Sequence, residues 1–533
     1  MTTRSRPTTR PLLTDAERDT VEAISRLAFC NPFTPERPRL ERQVLGEAFQ
    51  PSDAVWHAQT EATGANPNVP AIAARAGELA GALRERLESA RSAVSPGEER
   101  LYRDLVLYLL YSRYQDHFFR GFNRGETGGG SARAGFGFYG DFAADLAHYL
   151  DLPALRRPQA EDLLSDPAHL FACFFQIRRA FHFTFRAIVG GSPPAARLRE
   201  QVWQSVFTHD LRRYLTALFR SLGDITTLVT GPSGTGKELV ARAIRYSRHI
   251  PFDPAALRFR ESWEESFYPL NLSALSPTLL ESELFGHRRG AFTGAVADRI
   301  GWFEVCPPLG TVFLDEIGEI EPAIQVKLLR VLETRTFQRL GETRARRFQG
   351  KVVAATNRDL AREMREGRFR ADLYYRLCSD LLVTPSLSER VAAEPEELSN
   401  LVLFLSRRTV GEEQKGLAQE LAREVEAWIA GHLGSGYPWP GNVRELAQCV
   451  NNVLIRGEYR PEGIGAAAAG PRERLAGELV AGELTAEELL SRYCTVVYAK
   501  TGSYEEAARR LGLDRRTVRS RVDPALLAEL RQS

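Results

Sequence analysis

The run Gly231-Pro-Ser-Gly-Thr-Gly236-Lys237 limits what this chain can fold into more than any other feature. The apolar segment Ile225–Thr230 precedes it and the helical pattern Glu238–Arg248 follows, so the glycines occupy a strand-to-helix turn. Glycine lets backbone amides turn inward onto phosphate oxygens, the helix N-terminus adds the positive end of its dipole, and a lysine in this register reaches the β- and γ-phosphates. A turn of this kind belongs to a parallel α/β sheet. Gly231, Pro232, Ser233, Gly234, Thr235, Gly236 and Lys237 are therefore candidate nucleotide-binding residues, and Glu238 is counted with them. Glu238 departs from the general rule, which puts a serine or threonine there to ligate magnesium.

Two further strand ends carry chemistry. Gly310-Thr-Val-Phe-Leu-Asp315-Glu316 is an apolar strand closing on two acids. Beside a phosphate loop, the first acid suits Mg²⁺ and the second can polarise an attacking water. Lys351-Val-Val-Ala-Ala-Thr356-Asn357 ends in a polar pair whose position suits a sensor of the γ-phosphate. Ile225–Thr230, Tyr268–Leu272, Thr311–Leu314 and Lys351–Ala355 are short buried-strand candidates that alternate with helical runs between about Val202 and Pro385.

At 533 residues the chain is too long for a single core. It is 43% hydrophobic with a net charge of +2, which excludes a disordered or collagen-like chain and means that any nucleic-acid contact needs a local basic surface. Its six cysteines show no CxxC pair, so neither a zinc site nor a disulfide framework is expected. His57, His117, His148, His169 and His182 have no metal-ligand spacing and read as core or surface residues. With no apolar targeting segment near Met1 and no run of about 18 apolar residues, a cytoplasmic protein without membrane contact is expected. The N-terminal third reads as helices, among them Ala71–Ala93, Glu98–Phe119 and His169–Ile188, opened by the capping box Thr14-Asp-Ala-Glu17. The tract Gly121–Gly140, with Phe136, Phe138 and Tyr139, reads as a flexible loop.

The segment Glu281-Ser-Glu-Leu-Phe-Gly-His-Arg-Arg-Gly290-Ala-Phe-Thr-Gly-Ala295 lies between the two phosphate-site motifs and ends in GAFTGA. With the motifs above, it makes the chain resemble the AAA+ activators of sigma-54 RNA polymerase. That resemblance implies that Gly290, Ala291, Phe292, Thr293, Gly294 and Ala295 tip a loop that touches sigma-54. It further implies that Asn271 is a switch holding Glu316, and that Arg370 and Arg376, in Phe369-Arg-Ala-Asp-Leu-Tyr-Tyr-Arg376, reach a neighbouring subunit's ATP. Arg444, in Trp439-Pro-Gly-Asn-Val-Arg444-Glu-Leu446, would sense bound nucleotide. Catalytic roles thus fall to Asp315, Glu316, Asn271, Asn357, Arg370 and Arg376, with ATP and Mg²⁺ as cofactors and Asp315 as the metal ligand. Pro232 stands where many relatives carry glutamate, and residues Pro251 to Ser266 make a longer connection than the family leads one to expect.

Near the C-terminus, Thr485, Ser503 and Asp514 each open a helical run, and Ala508, Gly512 and Val518 take the spacing of a helix-turn-helix. Arg515, Arg516, Arg519 and Arg521 on its last helix can neutralise phosphates and read a guanine edge. This stretch resembles a Fis-type DNA-binding domain.

The expected fold class is multidomain: an all-α N-terminal domain, an α/β AAA+ P-loop ATPase with a parallel sheet, an α-helical lid and a C-terminal helix-turn-helix. Residues 1–13 would be a disordered tail, 14–192 a helical regulatory domain, 193–222 a connecting helix, 223–385 the ATPase, 386–456 the lid, 457–482 a linker and 483–533 the DNA-binding domain. The expected function is a sigma-54 transcription activator that binds upstream double-stranded DNA and works as a homo-oligomer, by family a hexamer. The rivals are an AAA+ remodeller of protein or nucleic acid, against which GAFTGA weighs, and a DNA-binding repressor with a vestigial ATPase, against which Lys237, Asp315 and Glu316 weigh.

Overall fold

In the computed structural model, residues 11–51, 66–90, 94–126, 136–155, 163–262, 267–411, 413–434, 436–461, 484–524, 526–527 and 530 are described. Residues 1–10 of the expected tail, 127–135 of the glycine tract, His57 and most of the expected linker lie outside them. The chain divides into two compact units, Met1–Val450 and Asn451–Ser533.

Five parallel strands form the sheet of the first unit, in the order β4-β5-β8-β1-β9. These are β1 (Thr227–Thr230), β4 (Phe267–Asn271), β5 (Thr311–Asp315), β8 (Lys351–Thr356) and β9 (Asp380–Val383). Two short hairpins fill the numbering: β2 (Phe252–Asp253) with β3 (Arg258–Phe259), and β6 (Thr336–Phe337) with β7 (Arg346–Arg347). Every residue of β8 is buried, as a central strand covered on both faces requires. β9 is an edge strand missing from the expected set. Because all five strands run the same way, the loops after β1, β5 and β8 open at one end of the sheet, where ligands bind in open α/β folds. The helices Leu387–Ala393, Glu396–Val410, Lys415–His432 and Asn442–Arg456 follow β9.

N-terminal to the sheet lies a helical assembly comprising Asp15–Phe29, Glu36–Leu45, Asn68–Ser89, Pro96–Glu126, Tyr139–Leu150 and Pro167–Ala187. Pro167–Ala187 is its centre. Asp166 caps it by accepting from the Ala168 amide at 2.9 Å, and residues on all sides of it are buried, including Phe171, Phe175, Arg179 and His182. A helix apolar over so much of its circumference has to be enclosed.

The structure corrects several sequence expectations. Leu12 and Leu13, assigned to a disordered tail, are buried, and Glu98 Oε1 accepts from both their amides. Of the tract taken as a flexible loop, Gly121–Glu126 continues the Pro96–Glu126 helix, and Phe136 is buried with its ring 2.8 Å from where a Cβ on Gly121 would stand. The single connecting helix is two pieces: Pro193–Phe207 ends at Thr208, whose φ of 64° breaks the run, and shorter helical turns follow over Leu211–Leu218. Nor is this region a loose joint. Arg199, fully buried, donates to the Ile188 and Gly190 carbonyls at 2.6 and 2.8 Å. Glu397, from the helices after β9, accepts from the Gly191 amide at 2.7 Å and the Ser192 hydroxyl at 2.9 Å.

The lengthened connection after the phosphate-loop helix also has a structural use. Its hairpin β2–β3 inserts Phe252 and Phe259 into the aromatic core of the N-terminal helices. Phe259 stacks on Phe175 with centroids 4.1 Å apart, and Phe252 lies 4.5 Å from Phe171.

In the second unit, the helices Ala486–Thr501, Tyr504–Leu511 and Arg515–Arg521 pack around Cys494, Ala507, Ala508 and Val518. Thr485 and Glu488 form a full capping box, Asp514 accepts from the Arg516 amide at 2.7 Å, and Gly512 supplies the left-handed turn at φ 66°. No helix among the described residues is long and apolar enough to cross a membrane.

Candidate functional site

The phosphate loop follows β1 and opens into the helix Lys237–Tyr246. Gly231, Gly234 and Gly236 all have positive φ, at 142°, 79° and 93°. Two of them are also forced by close packing. A Cβ on Gly231 would stand 2.5 Å from the Thr384 carbonyl oxygen, and one on Gly234 would stand 2.2 Å from that of Gly441. Thr235 Oγ1 donates to the Pro232 carbonyl at 2.8 Å and is 2.7 Å from Thr384 Oγ1. Lys237 Nζ donates to the Gly231 and Pro232 carbonyls at 3.0 and 3.1 Å, which holds the ammonium at the mouth of the loop. Burial lowers its pKa, while Glu316 and Asp315 act in the opposite sense. Glu238, grouped with the loop from sequence, instead accepts from Arg242 one turn along the helix at 2.7 Å.

Asp315 ends β5, two strands from β1, and Glu316 follows it. Burial raises the Asp315 carboxyl, and the neighbouring Glu316 charge adds to the shift. Glu316 is in left-handed backbone geometry at φ 56°, ψ 47°, a conformation that costs a non-glycine residue about 1 kcal/mol or more. The turn aims its carboxylate across to β8, where Glu316 Oε2 accepts from the Asn357 amide at 3.4 Å. Asn271 pairs in register with Asp315. The expected contact of Asn271 with Glu316 is not made, because its side-chain oxygen is taken by the Ser273 amide and hydroxyl at 3.0 and 2.8 Å, forming the turn that follows β4.

On the opposite wall, Arg444 Nη1 donates to Ser233 Oγ at 3.0 Å. Beside it is a residue to which sequence reasoning gave no role. Asn442, buried at φ 53°, donates to the Ser233 carbonyl at 2.9 Å and accepts from the Leu387 amide at 2.8 Å, so one side chain ties the loop to the helices after β9. Thr384 was missed as well. Asn442 lies in the motif Trp439–Leu446, whereas Thr384 follows the unexpected strand β9, and only their distant partners show their use.

Arg370 and Arg376 stand apart from this cluster. Arg370 is exposed and paired with Asp372 at 2.6 Å, and Arg376 Nε donates to the Leu332 carbonyl at 3.0 Å. The GAFTGA residues form a hinged tip. Gly290 and Gly294 have φ of 81° and 99°, and a Cβ on either would meet nothing within 4 Å. The Gly290 amide donates to the Ala295 carbonyl at 2.8 Å, Ala295 is buried, Thr293 is exposed, and the Phe292 ring packs against His287 at 4.9 Å. Below the tip, His287 and Arg299 exchange backbone hydrogen bonds at 3.0 and 2.9 Å, and Arg288 pairs with Asp298. In the second unit, Arg515 pairs with Glu505 at 3.0 Å and Arg521 with Glu487 at 2.5 Å, while Arg516 and Arg519 are exposed.

A glycine cradle that a Cβ would fill, a buried lysine at its mouth and an acid pair on a nearby parallel strand define an AAA+ P-loop ATPase domain. Residues 204–382 match the Sigma-54 interaction domain. It is 46% identical over 233 residues to the Nif-specific regulatory protein of Azotobacter vinelandii, covering 44% of this chain and 40% of that one. With the transcriptional regulatory protein ZraR of Salmonella typhimurium it shares 38% identity over 305 residues, 56% of this chain and 63% of the relative. With the anaerobic nitric oxide reductase transcription regulator NorR of Klebsiella pneumoniae it shares 43% over 232 residues, 44% and 40% respectively. The chain thus spans between 40% and 63% of the length of these relatives.

Proposed function

We propose that this protein is a transcription activator that hydrolyses ATP in a ring of identical subunits and uses the cycle to press its GAFTGA tips against sigma-54 in RNA polymerase, converting the promoter complex to the open state. The observation that carries the reading is the tip itself: two positive-φ glycines with open space around them, an exposed Thr293 and a braced stem. A loop free of its own domain at the end and fixed at the base suits contact with another protein.

The roles of the remaining residues follow from their chemistry. Lys237 and the loop amides hold the phosphates, and Glu316, aimed by its left-handed turn, is the acceptor that polarises water. Asp315 would hold Mg²⁺, which neutralises charge on the phosphates. Arg370 and Arg376, whose guanidinium groups bond in their own chain to Asp372 and the Leu332 carbonyl, would turn to the neighbouring subunit's ATP, so that hydrolysis needs assembly into a hexamer. Arg444 and Asn442 report loop occupancy to the lid. Residues 483–533 would bind upstream double-stranded DNA. Arg516 and Arg519 are the better placed to do so, since Arg515 and Arg521 are already paired with acids. The helices of residues 14–192 would carry the regulatory input.

Thr293→Ala tests this reading. ATP hydrolysis should persist while open-complex formation with sigma-54 RNA polymerase is lost, measured side by side on one preparation. A parallel fall in both activities would place the tip in the ring interface or the catalytic site and remove the reading.

A further inference from the structure

His169 and Cys173 stand four residues apart on the Pro167–Ala187 helix, one turn above the other on the same face. His249 joins them from the segment just after the phosphate-loop helix. One possible ligand atom from each of the three lies within 4.8 Å of the other two. The His169 ring is oriented by the Leu215 carbonyl, 2.7 Å from its Nε2. That bond needs the proton on Nε2, which is also 3.4 Å from Cys173 Sγ, and leaves the lone pair on Nδ1, 4.0 Å from the same sulfur. Among the described residues, His249 Nε2 is buried with no hydrogen-bond partner. His169 and His249 line a cavity of about 520 Å³, whose wall also includes Asp166, Gln176, Arg220 and Arg248.

We propose that His169, Cys173 and His249 form a binding site for a thiophilic divalent cation of the zinc class, shared between the N-terminal helices and the ATPase. Two imidazoles and a thiol are the donors such a cation prefers, whereas calcium and magnesium select oxygen. Zn–S and Zn–N bonds of about 2.3 and 2.05 Å at a tetrahedral angle place nitrogen and sulfur about 3.5 Å apart. The Nδ1–Sγ separation of 4.0 Å is about 0.5 Å longer than that. The Leu215 carbonyl is the outer partner that a ligating histidine commonly has on its second nitrogen. Three protein ligands leave the fourth position to face the cavity, open to water or a small ligand. Binding forms the metal–sulfur bond and releases the thiol proton to solvent. A reactive or redox role suits Cys173 less well, since the thiol is fully buried and burial pushes its pKa well up.

The ligands come from both sides of one seam. Close by on the same helix, Gln176 donates to the Ser247 carbonyl at 2.9 Å, and Arg179 donates to those of Tyr246 and Arg248 at 2.8 Å each. A bound ion would therefore pin the N-terminal helices to the far end of the phosphate-loop helix, adding its binding free energy to their docking.

The test is titration of the metal-stripped full chain with Co²⁺. One equivalent should give a thiolate-to-cobalt charge-transfer band with tetrahedral d–d absorption, displaced by one equivalent of Zn²⁺. Cys173→Ser should abolish the charge-transfer band, and His249→Gln should weaken Co²⁺ binding by at least about tenfold. Zn²⁺ should raise the melting temperature of the wild type but not of Cys173→Ser. Absence of a thiolate band in the folded wild type, or its survival in Cys173→Ser, overturns the proposal. Should Cys173→Ser fail to fold, the half-buried His249 decides: unchanged Co²⁺ affinity in folded His249→Gln also overturns it.

Discussion

The two ends of the helix Lys237–Tyr246 are built on opposite principles. Its N-terminal end is a half-open cradle made by consecutive residues, Gly231 to Lys237, in which backbone amides and one ammonium wait on an anion. Its C-terminal end is closed, and residues sixty or more positions away close it. Arg179 and Gln176 donate to the last carbonyls, and the hairpin that follows sinks Phe252 and Phe259 among Phe171, Phe175 and Phe136. A helix left with orphan carbonyls must find donors. Here the N-terminal helices supply them, so the element that holds phosphate at one end is held at the other by the region proposed to carry the signal.

The largest effect that would sharpen this contrast is at the open end. Lys237→Ala should abolish nucleotide binding, since the point charge on the β/γ-phosphates is lost, yet leave the melting temperature nearly unchanged. Titration with a fluorescent nucleotide analogue and thermal melting of the same sample check it, and a large drop in melting temperature would break the division. Phe259→Ala should do the reverse. It removes a buried ring at the closed end and should cost about 3–5 kcal/mol of local stability, read as faster amide exchange along 167–187. Nucleotide affinity measured under stabilising conditions should stay near wild type.

The same contrast explains what could be read in the sequence. The phosphate loop, the acid pair and the tip were legible because each is a few adjacent residues whose type is dictated by local geometry, as with the positive φ of Gly231, Gly234 and Gly236. Asn442 stands in a motif and Thr384 does not, and neither reveals its use because the partners, Ser233 and Thr235, are more than a hundred residues distant. Phe136 sits in a glycine-rich tract that composition assigns to a loop, and Phe252 and Phe259 sit in a connection that looked merely long. Their common core exists only through tertiary contact, and a periodicity of 3.6 or 2 cannot reveal it. The trio His169, Cys173 and His249 escaped for the same reason: metal-ligand spacing is sought along the chain, and the third member comes from another element.

A smaller loss is expected at Arg179, whose guanidinium is fully buried and whose pKa burial pulls down to about 9. Arg179→Met leaves the Tyr246 and Arg248 carbonyls without these donors, worth about 1–3 kcal/mol. Part of that loss is offset because a cation no longer has to be desolvated. Denaturant midpoints of wild type and variant measure the net. A change as large as that of Phe259→Ala would mean that the polar clamp, not the aromatic core, holds the closed end.

The smallest effect concerns acid. His182 is buried among Phe119, Phe122 and Phe183, and among the described residues neither ring nitrogen has a hydrogen-bond partner. Burial, with Arg186 and Arg178 repelling a further positive charge, pushes its pKa down from 6.5 to about 3. The folded chain therefore keeps this ring neutral where the unfolded chain would take up a proton. Its contribution to stability is intact above pH 6.5 and is lost as pH falls from 6.5 toward 3, by about 1.4 kcal/mol at pH 5.5 for a shift of this size. His249, also pushed down to about 3 by burial, adds a slope of the same sign. His182→Phe fills the site with a ring of similar shape and should change stability by less than about 1.5 kcal/mol at pH 7, while removing its share of the acid slope. Denaturation midpoints at pH 7.5 and 5.5 compare the two proteins, and equal losses between those pH values would show that His182 is not the buried neutral base its surroundings make it.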